Sequence, residues 1–249
     1  MLTPEEKQRY DRQIMIPGIG KAGQSKLKKA RVVIAGSGGL GSPISLYLTA
    51  AGLGTLRIID NDKVELSNLN RQILHWDKDI GKFKTDSADK KLRDLNKNIT
   101  VETINTTIDE SNVSELLSGF DVIVDAMDNL PTRFLLNRAA VEHRIPFVHG
   151  AVSGLEGRAM TVIPGKSACL QCLYHTIPPI SKFPVLGATP GVIGCIQATE
   201  VIKYITGIGS LLTNRLLIYD GLNMKFTELQ VVRIKNCECC GNLNIEDKT

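Results

Sequence analysis

Aromatic residues are scarce in this 249-residue chain, where Phe, Trp and Tyr together make up 5% of the residues. The net charge of +4 arises mainly in residues 1–31, which hold eight Lys or Arg against three Asp or Glu. A nucleic-acid-binding surface usually needs a broader basic footprint, with aromatic side chains for stacking between the basic ones. We therefore do not expect nucleic acid as a partner.

The N-terminus lacks the apolar core of a secretory signal, because residues 1–13 are charged throughout. The longest stretch without a charged residue, 32–56, is long enough to span a bilayer, but it contains six glycines. It also divides into a strand-like part, a glycine turn and a helix-like part, which indicates a buried strand, loop and helix. We expect a cytoplasmic protein that has no membrane partner.

The order of the periodic segments predicts an α/β fold with a Rossmann-like sheet, parallel in its N-terminal half. Apolar, β-branched runs predict buried strands at 30–35, 55–60, 99–104 and 120–125, and helix-like segments lie at 40–51, 82–95 and 130–143. Beyond about residue 150 the rhythm changes, and some antiparallel strands are expected. Strand-like runs there lie at 158–163, 215–220 and 227–234, an apolar helix is predicted at 191–205, and a proline-rich loop at 174–190.

A glycine loop follows the first predicted strand and precedes a helix. Its pattern G-x-G-x-x-G is formed by Gly36, Gly38 and Gly41, with Gly39 inside it. Such glycines let the backbone approach a phosphate, and the helix N-terminus attracts an anion. Asp60 ends the next strand, where a carboxylate can bind a ribose. These features alone fit an NAD-dependent oxidoreductase, another adenosine-binding protein, or a structural tight turn.

Four further segments distinguish among these possibilities. They are 9–13 (RYDRQ), 60–72 (DNDKVELSNLNRQ), 81–84 (GKFK) and 125–129 (DAMDN). Together they strongly resemble the MoeB/ThiF/HesA family of ubiquitin-activating-type adenylyltransferases, from about Arg9 to Gly241. The resemblance implies ATP-dependent adenylation of the C-terminal glycine carboxylate of a small ubiquitin-like sulfur carrier of the MoaD/ThiS type. Pyrophosphate would leave, ahead of thiocarboxylate formation.

The residue inventory agrees with this chemistry. A terminal carboxylate is ionised near neutral pH, so the nucleophile needs no general base. The reaction needs cations, hydrogen-bond donors and a metal at the phosphates. Arg12, Arg71 and Lys84 can supply the positive charge, and Asp128 can hold Mg²⁺. The sequence shows no obvious hydride-handling His or Tyr-Lys pair that would favour a dehydrogenase.

The resemblance also implies roles for individual residues. The four residues expected to be catalytic are Arg12, Arg71, Lys84 and Asp128. Residues expected around ATP and Mg²⁺ are Gly36, Gly38, Gly39, Gly41, Asp60, Asp62, Asn68, Arg71, Gln72, Lys84, Asp128 and Asn129. Arg12 is similar to an arginine that reaches the neighbouring subunit's site, which implies a homodimer. Taken singly, each charged side chain is more often a solvated surface group.

We expect a single domain over residues 1–249. It has a helical arm at 1–29, an ATP-binding half at 30–150, and a partner-binding half at 151–249 that is cross-linked by a zinc site. Within the family, a peptide or a modified RNA base remains an alternative carboxylate substrate. A non-catalytic binding module is the alternative of a different class. The pathway served, whether molybdopterin, thiamine or another sulfur-containing product, does not follow from the sequence.

Two CxxC pairs, Cys169 with Cys172 and Cys237 with Cys240, have the spacing of a closed, structural zinc site. The pair Cys237 with Cys239 is an alternative to the pair Cys237 with Cys240, and His175 can in principle replace a cysteine. Disulfides are the less favoured alternative in a cytosolic chain. The resemblance points to the same four cysteine ligands.

Cys195 is predicted to lie at the start of the apolar helix, as a small buried hydrophobic residue. Some relatives carry a reactive cysteine in the preceding loop, but residues 178–184 contain none. We therefore expect the chemistry of this chain to stop at the acyl-adenylate. A separate sulfurtransferase or other sulfur donor would act in trans.

Overall fold

The computed structural model describes residues 1–174 and 183–241, which form one mixed sheet with helices on both faces. The strand order is β3-β2-β1-β4-β5-β6-β7-β8. The strands are β1 Arg31–Ala35, β2 Thr55–Ile59, β3 Thr100–Ile104, β4 Val122–Asp125, β5 Phe147–Ser153, β6 Glu156–Val162, β7 Arg215–Asp220 and β8 Lys225–Gln230. The helices are α1 Pro4–Arg9, α2 Asp11–Ile14, α3 Gly20–Leu27, α4 Gly41–Ala50, α5 Lys84–Leu95, α6 Val113–Leu117, α7 Leu130–Glu142, α8 Leu170–Leu173 and α9 Ala188–Thr206.

The sheet changes from parallel to antiparallel at β5. Strands β3, β2, β1, β4 and β5 pair in parallel, whereas β5 pairs antiparallel with β6, β6 with β7, and β7 with β8. The predicted α/β fold, parallel first and mixed later, is therefore confirmed. Because β5 runs across residue 150, the sheet continues without a break between the two halves of the chain.

The apolar sequence of β1 is explained by burial on both faces of the sheet. Val32 and Ile34 pack in the same core cluster as Ile44 and Leu48 of α4. Val33 lies in the cluster on the opposite face, which contains residues of α6, α7 and α8. Successive residues of a strand point to opposite faces, so a strand covered on both sides is apolar throughout.

The N-terminal arm packs at the end of the sheet away from the glycine loop. Tyr10 is 4% exposed and lies where a Cβ on Gly52 would be 2.3 Å from its ring. Its hydroxyl accepts a 2.9 Å hydrogen bond from Asn96 Nδ2. Gln13 Nε2 donates to the Ala51 carbonyl at 3.0 Å. These contacts anchor the arm beyond the C-terminal ends of α4 and α5.

The strand order creates a crevice between β1 and β4. From β1 the chain proceeds to β2 and β3 on one side, whereas β4 and β5 lie on the other side. Loops after β1 and β4 therefore leave the sheet in opposite directions, and ligands bind at such a switch point in open α/β sheets. The glycine loop follows β1, and Asp128 follows β4, so both lie at this crevice.

Some element bounds differ from the sequence predictions. Helix α9 begins at Ala188, so the predicted loop ends earlier than residue 190, and residues 175–182 of that loop lie outside the described residues. Strand β8 ends at Gln230, four residues before the predicted end. Sequence analysis did not predict β5, whose run FVHGAVS includes glycine and histidine. Among the described residues, no helix combines the length and the apolar character that a membrane crossing requires.

Candidate active site and cysteine cluster

The glycine loop turns sharply because two of its glycines meet. Gly36 has a φ of +100°, a left-handed backbone conformation that favours glycine. A Cβ on Gly41 would lie 2.1 Å from the Gly36 carbonyl oxygen, and one on Gly36 would lie 2.6 Å from the Ala126 oxygen. Local packing therefore requires glycine at both positions, and it brings the loop against the segment that follows β4.

The other two glycines lie beside the segment that follows β2. Gly38 and Gly39 are half-buried. A Cβ on Gly38 would lie 3.6 Å from Gln72 Nε2, and one on Gly39 would lie 3.5 Å from Arg71 Cγ. The structure thus brings the predicted phosphate loop together with two predicted phosphate-contacting side chains.

Asp60 fastens the glycine loop to the end of β2. Its Oδ2 accepts a hydrogen bond from the Ser37 N–H at 2.7 Å, and its Oδ1 accepts from the Asp62 N–H at 2.8 Å. Burial raises the pKa of Asp60, although the positive charge of Lys84 opposes this rise. Each carboxylate oxygen keeps a second lone pair, so the half-buried group can still accept from a hydroxyl.

Lys84 begins α5 and pairs with Asp62. Its Nζ lies 2.8 Å from Asp62 Oδ2, and the Lys84 side chain is 6% exposed whereas that of Asp62 is 61% exposed. The Lys84 N–H also donates to the Asp62 carbonyl at 2.9 Å. A buried ammonium group is thus held next to Asp60 by an anion that faces solvent.

A 3₁₀ turn at Leu66–Asn68 positions the rest of the 60–72 segment. Asn68 is buried, and its Oδ1 accepts from the Glu65 N–H at 3.1 Å. The Arg71 guanidinium donates to the Ser67 carbonyl at 2.8 Å, so it bends back along its own turn. Gln72 is 5% exposed, and its Oε1 has no hydrogen-bond partner among the described residues. The Gln72 side-chain amide lies beside Gly38, and its oxygen can accept a hydrogen bond from a ligand.

Asp128 is exposed at the crevice, and none of the described residues pairs with its carboxylate. A free carboxylate at this position fits Mg²⁺, which prefers oxygen ligands. Asn129, predicted to contact the cofactor, caps α7 instead of standing free, because its Oδ1 accepts from the Thr132 N–H at 2.9 Å. Its contact with a cofactor stays a prediction.

A buried pair of side chains stabilises the turn that carries Asp128. Asp125 and His149 are both 0% exposed, and His149 Nδ1 lies 2.7 Å from Asp125 Oδ2. Asp125 Oδ1 accepts from the Met127 N–H at 3.0 Å, and Arg133 Nε donates to the Met127 carbonyl at 3.1 Å. Burial lowers the pKa of His149, and the Asp125 charge opposes this. These contacts fix the backbone one residue before Asp128.

Arg12 is not near this site within one chain. It is exposed on α2, and no described residue pairs with its guanidinium. The arm that carries it lies at the opposite end of α4, a helix of ten residues and therefore about 15 Å long. Any contact of Arg12 with a nucleotide would have to be made in a neighbouring molecule.

Four cysteines converge in the C-terminal half. The Sγ atoms of Cys169 and Cys237 are 3.7 Å apart, those of Cys172 and Cys240 are 3.5 Å apart, and all four lie within 4.8 Å of one another. Tetrahedral zinc with bonds of about 2.3 Å places its sulfur ligands about 3.8 Å apart. The cluster therefore fits a structural zinc ion, and all six cysteines of the chain are free thiols.

Cys239 lies outside this four-cysteine cluster. It is half-buried, and its Sγ accepts from Asn137 Nδ2 at 3.2 Å, while Asn137 Oδ1 accepts from the Leu170 N–H at 2.9 Å. The sequence left Cys239 as an alternative to Cys240 beside Cys237, and the geometry favours Cys240, whose Sγ lies 3.5 Å from Cys172 Sγ. The other alternative ligand, His175, falls outside the described residues.

Cys195 differs from its prediction in two ways. Helix α9 begins at Ala188, so Cys195 lies about two turns inside it and not at its start. Its side chain is half-buried rather than buried, because the helix presents this position toward the protein surface. Burial nevertheless raises the pKa of its thiol.

Sequence reasoning missed two buried histidines beside the site, His75 and His149. Asp125 was part of a recognised motif but received no role. The contact of His75 with Ser37 joins residues 38 positions apart, and that of His149 with Asp125 joins residues 24 apart. The rarity of histidine, which occurs four times in this chain, was the signal available.

The fold and the site define a nucleotide-binding α/β protein whose crevice lies at the switch point of its sheet. The chain matches the ThiF family over residues 10–241, and it therefore belongs to that family. The resemblance deduced from the sequence motifs is confirmed.

Three relatives show how far the similarity extends. The chain is 42% identical to the SAMP-activating enzyme E1 of Haloferax volcanii, over 98% of this chain and 93% of that protein. It is 40% identical to the sulfur carrier protein adenylyltransferase of Thermus thermophilus, over 96% of this chain and 93% of that protein. It is 40% identical to the adenylyltransferase and sulfurtransferase MOCS3-1 of Zea mays over 95% of this chain, but spans 52% of that longer protein.

The fold is also similar to that of a solved structure, E. coli MccB with ATP. The TM-score is 0.85 and the sequence identity 26%, over 94% of this chain and 75% of that chain.

Proposed function

We propose that this protein uses ATP to adenylate the C-terminal glycine carboxylate of a small ubiquitin-like sulfur carrier, giving an acyl-adenylate and pyrophosphate. The observation that carries the proposal is the buried Lys84 ammonium group beside Asp60 and the glycine loop. Relatives named as a sulfur carrier protein adenylyltransferase and as a SAMP-activating enzyme support the same substrate class.

The reaction depends on electrostatic stabilisation of the phosphates more than on proton transfer. A carboxylate oxygen of the partner attacks the α-phosphorus of ATP, and the bond to the pyrophosphate oxygen breaks. Lys84 and Arg71 offset the negative charge on the phosphates, and Asp60 binds the ribose. Asp128 would hold Mg²⁺, which supplies further positive charge when bound. The partner's carboxylate is already ionised at neutral pH, so no general base is needed.

The exposed edge of the sheet supports a protein substrate. Strand β8 is the last strand of the sheet, and all six of its residues are exposed. No strand in the described part of the chain pairs with its outer edge, which can therefore accept a further strand. Large apolar side chains around it are also exposed: Leu222, Met224, Phe226, Leu229 and Val232. Apolar exposure of this kind marks a protein-contact surface. We assign it to the body of a β-grasp partner whose flexible Gly-Gly tail reaches the crevice.

Transfer of sulfur to the activated carboxyl group would follow adenylation. Residues 178–184 contain no cysteine that could carry the activated carboxyl group. A separate sulfurtransferase or another sulfur donor would therefore convert the acyl-adenylate to a thiocarboxylate. The combined name of the Zea mays relative, an adenylyltransferase and sulfurtransferase, supports a link between the two activities.

A homodimer is proposed because Arg12 lies far from the site of its own chain. In a dimer, the partner's arm would bring its arginine to the phosphates. The cysteine cluster would hold zinc and fasten the C-terminal segment to α8. A reducing compartment such as the cytoplasm suits the six free thiols.

A peptide carboxylate is the second candidate substrate, and the similarity to E. coli MccB favours it. Adenylation of a carboxylate on a modified RNA base is a further alternative.

Isotope exchange between pyrophosphate and ATP distinguishes these substrates. Exchange should require a β-grasp protein ending in Gly-Gly, and it should be absent with the same protein lacking its last glycine. Exchange supported equally well by a short peptide or by RNA would refute the proposed substrate.

A further inference from the structure

The His75 imidazole is buried and hydrogen-bonded at both ring nitrogens. It is 3% exposed, with Nε2 2.8 Å from the Ser37 carbonyl oxygen and Nδ1 2.9 Å from Ser87 Oγ. A carbonyl oxygen can only accept a hydrogen bond, so Nε2 carries the proton. Burial lowers the pKa of His75 to about 4. The ring is therefore neutral near pH 7, with an unprotonated Nδ1 beside the Ser87 hydroxyl.

The Ser87 hydroxyl belongs to a buried polar network on the far side of the His75 ring from Ser37. Lys91 Nζ donates to Ser87 Oγ at 2.7 Å and also forms an ion pair with the buried Asp79. Ser87 Oγ also lies 3.1 Å from Asp79 Oδ2, so its single proton can be donated either to Asp79 or to His75 Nδ1. Ser87, Asp79 and Lys91 also line a cavity of about 620 Å³ on the outer side of this network.

Ser37 belongs to the glycine loop, and its carbonyl orientation determines the direction of the next N–H. The peptide bond between Ser37 and Gly38 is trans, so its C=O and N–H point in opposite directions. His75 draws the carbonyl toward the protein interior. The Gly38 N–H therefore points outward, to the side where the loop faces the crevice.

Both backbone groups of Ser37 are held at the same time. Its N–H donates to Asp60 Oδ2 at 2.7 Å, and its C=O accepts from His75 at 2.8 Å. Glycine-rich backbone has many accessible conformations, and ordering it costs free energy. These two bonds impose that order before any ligand binds, so the ligand does not have to.

We propose that His75 is a positioning residue that presets the Gly38 N–H as a donor to a phosphate oxygen of ATP. The inference rests on the proposed function, because it takes ATP as the ligand of the glycine loop. His75 lies beneath the loop and acts through Ser37, so it does not touch the reacting atoms.

Two amide variants separate the two sides of the ring. Asn in place of His75 puts an amide near the position of Nδ1 but falls short of Ser37, whereas Gln reaches the position of Nε2. The exposed His143, whose Nε2 lies 3.0 Å from Ser114 Oγ, provides a matched control as His143→Asn.

Calorimetry measures binding of α,β-methylene-ATP with Mg²⁺, and thermal unfolding is recorded in parallel. Pyrophosphate exchange gives the KM values for ATP and for the carrier protein.

We expect His75→Asn to bind the ATP analogue about fivefold to thirtyfold more weakly, as expected for the loss of 1–2 kcal/mol. We expect His75→Gln and His143→Asn to stay within about twofold of wild type, since each keeps the donor to Ser37. The KM for ATP should rise in His75→Asn, and the KM for the carrier protein should not change.

Two results would overturn the assignment. The first is a folded His75→Asn variant that binds the nucleotide as tightly as wild type. The second is an equal loss of nucleotide affinity in the Asn and Gln variants, together with equally lowered unfolding midpoints. That result would mean that the ring has only a structural role. Absence of nucleotide binding by wild type would instead refute the proposed function, and the role of His75 would fall with it.

Discussion

Lys84 Nζ lies 2.8 Å from Asp62 Oδ2, in an ion pair whose cation is buried and whose anion is exposed. An exposed carboxylate loses little free energy when it leaves such an ion pair, because water replaces the contact. An incoming phosphate can therefore displace Asp62 while the packing of α5 keeps Lys84 in place. The pair holds the ammonium group ready, and it keeps a buried charge compensated in the absence of nucleotide.

Replacement of Lys84 tests this arrangement. We expect Lys84→Ala to lower kcat for pyrophosphate exchange by about a hundredfold or more, as loss of a preorganised charge does. The exposed Lys90 on the same helix provides the matched control, and Lys90→Ala should exchange at nearly the wild-type rate. Similar rates in the two variants would exclude Lys84 from the reaction.

Replacement of Asp60 should separate stability from nucleotide binding. Asn keeps an acceptor for the Ser37 N–H but loses the negative charge and faces the Asp62 N–H with a donor. We expect Asp60→Asn to weaken ATP binding about tenfold or more, since a charged hydrogen bond is worth about 1.5–3 kcal/mol. Calorimetry measures the affinity. The free energy of unfolding at neutral pH should change little, because burial of the charged form is unfavourable in wild type.

The pH dependence of the same variant has a defined sign. The pKa of Asp60 is raised by folding, so the folded state binds this proton more tightly than the unfolded state does. The free energy of unfolding of wild type, relative to Asp60→Asn, should rise as the pH falls through the raised pKa. It should level off below the unfolded pKa near 3.9. Denaturant titrations over this range would reveal a trend of the opposite sign if the carboxylate were stabilised by folding.

Mixing two impaired variants tests whether Arg12 acts in the neighbouring molecule. Arg12→Ala and Lys84→Ala should each have little exchange activity alone. In a randomly mixed dimer population, about a quarter of the sites combine an intact Arg12 from one chain with an intact Lys84 from the other. We expect exchange activity to recover to about that fraction after mixing. No recovery, despite proven subunit exchange, would place Arg12 outside the site.

The cysteine cluster gives a prediction that needs no activity assay. We expect Cys237→Ser to lose most of its zinc and to unfold at a lower temperature, because a structural zinc ion stabilises the fold. Cys239→Ser should keep about one zinc per chain, since Cys239 lies outside the cluster. Elemental analysis of protein purified without chelator measures both. Zinc lost by Cys239→Ser would contradict this choice of ligands, and zinc retained by Cys237→Ser would contradict the cluster as the zinc site.

The order of strands and helices could be predicted from the sequence, and loops after adjacent parallel strands meet at one edge of a sheet. This places the glycine loop, Asp60 and Asp128 near one crevice. The choice between Cys240 and Cys239 as the partner of Cys237 could not be made from spacing, since both follow Cys237 within three residues. It depended on which thiol lies within 4.8 Å of the other three.

The supporting contacts could not be predicted for a different reason. His75 and His149 take their roles from Ser37 and Asp125, which local sequence patterns do not link to them. Strand β5 owes its existence to pairing with two neighbours, and its own sequence carries a weak strand signal.

The most direct test of adenylation is to locate AMP on the partner. ATP labelled at the α-phosphate is mixed with the protein and a Gly-Gly-ending β-grasp carrier, and the carrier's C-terminal peptide is then analysed by mass spectrometry. We expect labelled AMP on the terminal glycine with wild type, and none with Asp128→Ala or with a carrier lacking that glycine. Wild-type amounts of labelled carrier formed by Asp128→Ala, or label that does not depend on the terminal glycine, would contradict the proposed reaction.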